Sequence, residues 1–164
     1  MNALFIGRFQ PFHLGHMHVI KQNFNLFKLL YIGIGSSQYS NTFENPFSFA
    51  ERETMIKAAL NDEGINNYSI VAIPDIHNPP KWVDHIISII NDSIELITNN
   101  SETAELFKKK GFNVHKDGLY KKQRFSGQEI RERMRCNKPW NELVHPKVYE
   151  YLCSIDAEQR LKSI

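Results

Sequence analysis

The sequence predicts a single α/β domain of Rossmann-like type, a parallel sheet with helices on both faces. Three observations carry this expectation. Short apolar runs of strand type alternate with segments of helical periodicity along the 164 residues. The first run, Asn2 to Ile6, empties into a turn and then a helical pattern at Met17, Ile20 and Phe24. The composition, 41% hydrophobic and 23% charged, is that of a globular chain with one buried core.

In order, Asn2 to Ile6, Leu29 to Ile34, Ser69 to Ile73, Ile94 to Thr98 and Phe112 to His115 read as strands. Between them lie helices at about Phe49 to Leu60, Lys81 to Ile90 and Glu102 to Lys110, the last stopped by Gly111. From about residue 146, helices that place Val148, Tyr151, Leu152 and Ile155 on one side close the core. Repeats, low-complexity segments and linkers are absent, so residues 1–164 are expected to form one domain. Ligands of such sheets bind beyond the strand C-termini where chain order switches. The loop after the first strand lies at that edge.

A formal charge of +2 is too small for nucleic acid as the main partner. No apolar run is long enough to span a bilayer and no secretory leader is evident. Cys136 and Cys153 form no metal-like pair and read as structural thiols in a reducing, cytoplasmic setting.

The chemistry starts in Gly7-Arg8-Phe9-Gln10-Pro11-Phe12-His13-Leu14-Gly15-His16. Gly7 and Pro11 set a turn, and Arg8, His13 and His16 stand beside the free N–H groups of a helix start, a phosphate cradle. His13 and His16 are three apart and point the same way; Gly15 lets a ligand approach the backbone. The imidazoles can instead simply cap the helix. A zinc site of His13, His16 and His18 lacks further ligands at recognisable spacing.

Gly33-Ile34-Gly35-Ser36-Ser37-Gln38 lacks the third glycine of a dinucleotide fingerprint and runs into a polar loop. Ser48 and Glu51 make a capping box, as do Ser126 and Glu129. The second helix start has Lys121, Lys122 and Arg124 before it and Arg131 and Arg133 within it, which suits a polyphosphate. Lys108 to Lys110 read as a solvated run at a helix C-terminus. Trp82 heads a stripe with His85, Ile86, Ile89 and Ile90. It is either a core residue or a face offered to a cationic ring, an attraction of about 0.5–2 kcal/mol. His85 reads as a satisfied interior or edge histidine.

These stretches resemble the nucleotidylyltransferase superfamily marked by His-x-Gly-His, and in it the archaeal-type nicotinamide mononucleotide adenylyltransferases. His13-Leu14-Gly15-His16 after Gly7-Arg8-Phe9-Gln10 is similar to the signature, and Asn45-Pro46-Phe47-Ser48 to Arg52 to a second element. Arg124-Phe125-Ser126-Gly127-Gln128 to Arg131 is similar to a third, with Gln128 in place of a threonine. Glu44 stands where many relatives carry an arginine linked to the triphosphate, and Asn99 and Ser101 also depart from the family pattern. The resemblance implies His13, His16, Arg8 and Arg131 as catalytic residues and Gly7, Phe9, Gly15, Arg124, Ser126, Gly127 and Gln128 as ATP-binding. It implies Ser36, Gln38, Asn78, Trp82 and Asn100 as mononucleotide-binding.

The implied reaction is transfer of AMP from ATP to the 5′-phosphate of nicotinamide mononucleotide, giving NAD and pyrophosphate. Mg²⁺ is expected with ATP and no metal cage in the chain; a homo-oligomer is expected, with neither nucleic acid nor membrane as partner. The nucleophile is a phosphate with a second pKa of about 6, so the histidines are expected to donate hydrogen bonds rather than act as bases. Lys81 is the only firm cation between Ile73 and Val83 and reads as solvent-facing, so preference for the amide over the acid mononucleotide is expected. Two other readings are a relative such as phosphopantetheine adenylyltransferase, which needs no Asn78 and Trp82, and a nucleotide sensor without turnover.

Overall fold

Five parallel strands in the order β3-β2-β1-β4-β5 form the sheet of the computed structural model, which describes residues 1–116 and 125–164. The strands are β1 (Asn2–Gly7), β2 (Leu30–Gly35), β3 (Tyr68–Ile73), β4 (Ile94–Ile97) and β5 (Val114–His115). Between and after them run α1 (Leu14–Asn23), α2 (Phe49–Asp62), α3 (Pro79–Ile90), α4 (Ser101–Lys109), α5 (Gly127–Arg135), α6 (Pro146–Ser154) and α7 (Ala157–Ser163). The order runs outward from β1 in both directions, so the chain reverses between β1 and β4.

Side chains alternate across a strand, and the central strand is apolar on both faces for that reason. Ala3 and Phe5 face a core built with Met17 and Ile20 of α1, Met55 and Ile56 of α2, and buried residues of α5, α6 and α7. Leu4 faces a smaller core with Val83, Ile86 and Ile90 of α3 and Phe107 of α4. The expected sheet with helices on both faces is therefore observed.

Boundaries differ by at most two residues from the sequence reading, as element ends ordinarily do. The stripe of α3 is Val83, Ile86 and Ile90, with Ile89 exposed. Gly111 ends α4 in the left-handed conformation, φ +86°. Cys136 and Cys153 are free and exposed, so neither is a structural thiol. Among the described residues no helix is long and apolar enough to cross a membrane.

Candidate active site

At the C-terminal ends of β1 and β4 two cavities open on opposite faces of the sheet. One, of about 250 Å³, is lined by His13, Gly15 and His16 together with Phe5, Asn99 and Phe125. The other, of about 420 Å³, is lined by Gly7, Arg8, Ser36, Asn78 and Trp82 together with Asp75, His77 and Glu102. They share Ile6, Thr98 and Asn100. Two ligands lying in them would meet where the chain reverses.

The histidines cap α1 and face the first cavity at once. His13 Nδ1 accepts the N–H of Gly15 at 3.1 Å, and His16 Nδ1 accepts the N–H of His13 at 3.1 Å, a reciprocal capping box. A nitrogen that accepts a backbone N–H carries no proton, so the proton of each neutral ring sits on Nε2. Burial lowers the pKa of His13 from 6.5 to about 3. Burial, and then the neighbouring His13, hold that of His16 well below its ordinary value. The result is a pair of uncharged N–H donors whose rings stack 3.6 Å apart. The capping reading and the functional reading are thus compatible.

Phe9, with φ +55°, turns its ring inward edge-on to His16, at 4.7 Å between centroids. Its ring is in the core and braces His16, and Phe9 lines neither cavity. A Cβ on Gly15 would meet the His13 ring at 2.9 Å, which is why glycine stands there.

The α5 start packs on the same loop. A Cβ on Gly127 would lie 2.7 Å from Arg131 Nη1 and 3.0 Å from the Gln10 carbonyl, so only glycine brings them together. Arg131 is 5% exposed; its Nη1 donates to the Gln10 carbonyl at 2.8 Å and its Nε is buried without a hydrogen bond. One arm of its guanidinium is therefore engaged by protein backbone. Ser126 Oγ accepts the N–H of Glu129, but Glu129 turns to Arg133 at 2.9 Å, so that capping box is only half made. Arg133 accordingly points away from the site, and Gln128 is exposed and lines neither cavity. Lys121, Lys122 and Arg124 lie outside the described residues.

Burial first, then the neighbouring Arg8, lowers Arg52 and Arg131 to about 10, with Glu44 and Glu132 opposing the shift at Arg131. At neutral pH Arg52 and Arg131 remain cationic, and neither forms an ion pair among the described residues. Of the three only Arg8 lines a cavity, and Arg131 stands at the start of α5, where a cation suits a polyanion.

On the other side, Ser36 adopts φ +46° at the end of β2 and lines the second cavity. Gln38 does not line it. Its amide donates to the Asp75 carbonyl at 2.8 Å and accepts the Asp75 N–H at 2.9 Å, so both ends are committed to tying two loops together. Tyr39 Oη and His77 Nε2, 2.6 Å apart, add a second tie. Asn78 precedes α3 without a side-chain cap bond and lines the cavity. Trp82 is half-buried, edge-on to Phe107 at 6.1 Å, with its remaining surface on the cavity. Asn100 Oδ1 caps α4 through the N–H of Thr103. Lys81 is exposed, while His85 Nε2 is buried without a hydrogen bond and so is not satisfied.

Arg52 and Gln10 were not anticipated in the site. Their signal is an arginine in step with Met55, Ile56 and Ala59 on the apolar face of α2, and a glutamine between apolar residues. The Gln10 amide donates to the Phe47 carbonyl and accepts the Phe47 N–H. Among the described residues no group of three or more His, Cys, Asp or Glu could hold a metal ion.

Residues 4–133 match the model of the cytidylyltransferase-like family. A curated protein of Methanolobus tindarius named nicotinamide-nucleotide adenylyltransferase is 41% identical over 162 residues, covering 99% of this chain and 93% of its own. One of the same name from Picrophilus torridus is 37% identical over 164 residues, covering 100% and 97%. The crystal structure of a bifunctional NMN adenylyltransferase/ADP ribose pyrophosphatase from Francisella tularensis superposes with a TM-score of 0.85 at 26% identity and over 98% of this chain. This chain spans about half the length of that protein, 51%. A second structure of the Francisella protein, complexed with AMP and a manganese ion, gives 0.82 at 27% identity, over 99% of this chain and 51% of its own.

Proposed function

From the premise that the chain belongs to the cytidylyltransferase-like family, and within it to the nicotinamide-nucleotide adenylyltransferases, we propose that it transfers AMP from ATP to the 5′-phosphate of nicotinamide mononucleotide. An oxygen of the acceptor phosphate forms a bond to the α-phosphorus of ATP. The bond from that phosphorus to the bridging oxygen breaks, pyrophosphate departs and NAD remains. The observation that carries this reading is the meeting of two cavities at Ile6, Thr98 and Asn100, with imidazole donors on one side and Arg8 and Trp82 on the other.

The acceptor phosphate needs no base, because its second pKa is about 6. The histidines are poor bases in any case: each Nδ1 lone pair is committed to a backbone N–H and each Nε2 carries a proton. They donate to the oxygens on which charge grows in the transition state, without transferring a proton. Arg131 adds charge on the polyphosphate side, where its backbone anchor holds its guanidinium at α5, and Arg8 adds charge from the second cavity, beside the acceptor phosphate. Trp82 stacks on the pyridinium ring. Mg²⁺ carried in with ATP would neutralise phosphate charge and would be held mostly by phosphate oxygens and water, since the first cavity is lined by imidazoles and amides while the carboxylates Asp75 and Glu102 lie on the second.

The test is a turnover assay with purified protein, ATP and Mg²⁺ against nicotinamide mononucleotide, nicotinate mononucleotide and phosphopantetheine, scored for dinucleotide and pyrophosphate. NAD formation is expected to dominate. Nucleotide binding without product, or preference for phosphopantetheine, would overturn the reading.

A further inference from the structure

Arg52 is completely buried on α2, yet among the described residues no carboxylate pairs with it. A buried charge without a counter-charge persists only when its donors are well used. Here they are. Nη1 donates to the Arg8 carbonyl at 3.0 Å and to the Gly35 carbonyl at 2.9 Å. Nη2 lies 3.3 Å from the Ser36 carbonyl, with those of Tyr39 and Ser37 at 3.4 and 3.5 Å. Nε donates to the Ser48 carbonyl at 3.2 Å, anchoring the group to its own helix.

These carbonyls come from two loops, the one leaving β1 and the one leaving β2. Arg8, Gly35 and Ser36 all line the second cavity, whereas none of them lines the first. Ser36 is held in the left-handed region, φ +46°, a conformation a serine keeps only when its surroundings impose it. One planar cation drawing successive carbonyls inward imposes it.

We propose that Arg52 is a positioning residue for the acceptor half of the site. Its guanidinium sets Arg8 and Ser36 at the spacing that the mononucleotide bridges, and it touches neither substrate. The proposal rests on the function inferred above.

Lysine is the discriminating substitution. It keeps the charge and most of the stem, but its compact ammonium cannot reach carbonyls of both loops in one plane. For Arg52→Lys we expect KM for nicotinamide mononucleotide to rise at least about tenfold, while KM for ATP changes less than about threefold and kcat at saturation is largely kept. Calorimetric titration of the mononucleotide without ATP, on folded variant verified by circular dichroism, should show the same loss of affinity. Arg52→Gln serves as a second variant with fewer donors and should show a larger rise. If both KM values stay at wild type and activity falls only with the folded fraction, Arg52 is scaffold alone and the proposal fails. Equal rises for ATP and acceptor would also overturn it. Wild-type protein that does not use the mononucleotide would instead defeat the function on which the proposal rests, and that control is run first.

Discussion

His16 Nδ1 accepts the backbone N–H of His13, and the His13 and His16 rings stack with their planes 25° apart. One hydrogen bond therefore couples helix capping to catalysis, since it leaves the proton of His16 on the outward Nε2. His16→Ala should lower kcat at least about a hundredfold and cost about 0.5–2 kcal/mol of stability through the lost cap. His16→Asn, whose short amide can accept the His13 N–H, should recover stability but not turnover. Denaturant melts beside kcat measurements check this, and a His16→Ala kcat near wild type would remove His16 from the mechanism.

The same burial makes a prediction about pH. The unfolded chain protonates both imidazoles below 6.5, whereas folded His13 stays neutral down to about 3 and the pKa of folded His16 is likewise held well below 6.5. A depressed folded pKa means stability that is present above 6.5 and is lost as pH falls from there toward 3. The slope is at most about 1.4 kcal/mol per pH unit for each ring. Urea unfolding between pH 7.5 and 5 should reveal it, and His13→Asn should flatten it; an unchanged slope would contradict the neutral, buried state.

Kinetics should not follow that titration. Any acid limb of kcat/KM near pH 6 belongs to the acceptor phosphate, with its second pKa of about 6. A pH profile of a variant outside the site and one of His13→Asn should share the limb. Its disappearance in His13→Asn would make that histidine the titrating group.

Arg131 is anchored by Nη1 to the Gln10 carbonyl, so lysine loses the anchor as well as the planar fork. Arg131→Lys should raise KM for ATP by about tenfold and leave that for the mononucleotide within about twofold. Full activity of the lysine variant would show that charge alone suffices.

Trp82 packs on Phe107 and faces the second cavity, so Trp82→Ala should both weaken the mononucleotide and destabilise the fold. KM for the nicotinamide and nicotinate forms should rise together, because each carries a pyridinium, at a stability cost of about 1–3 kcal/mol. Trp82→Phe should recover much of both. An unchanged KM in Trp82→Ala would return the residue to the core, and a higher kcat/KM for the nicotinate form in wild type would defeat the expected amide preference.

The alternation of strands and helices, the Ser48 cap, the Gly111 stop and the cradle around His13 and His16 were legible because each depends on neighbours within a turn or two. Periodicity and capping are local, and local patterns survive in a linear string. Three-residue spacing put the histidines side by side, but which ring nitrogen keeps its proton follows from backbone N–H groups placed by the fold. The backbone partners of Gln38, Arg131 and Arg52 were not legible. Gln38 meets Asp75 across 37 positions and Arg131 meets Gln10 across 121, so the groups that engage them are chosen by packing of the sheet edge. Arg52 stood in the apolar stripe of α2 in plain view, but its carbonyl partners come from two loops that become neighbours when β1 pairs with β2. Backbone carbonyls carry no sequence identity, and a side chain that reads them has a function only after the chain has folded.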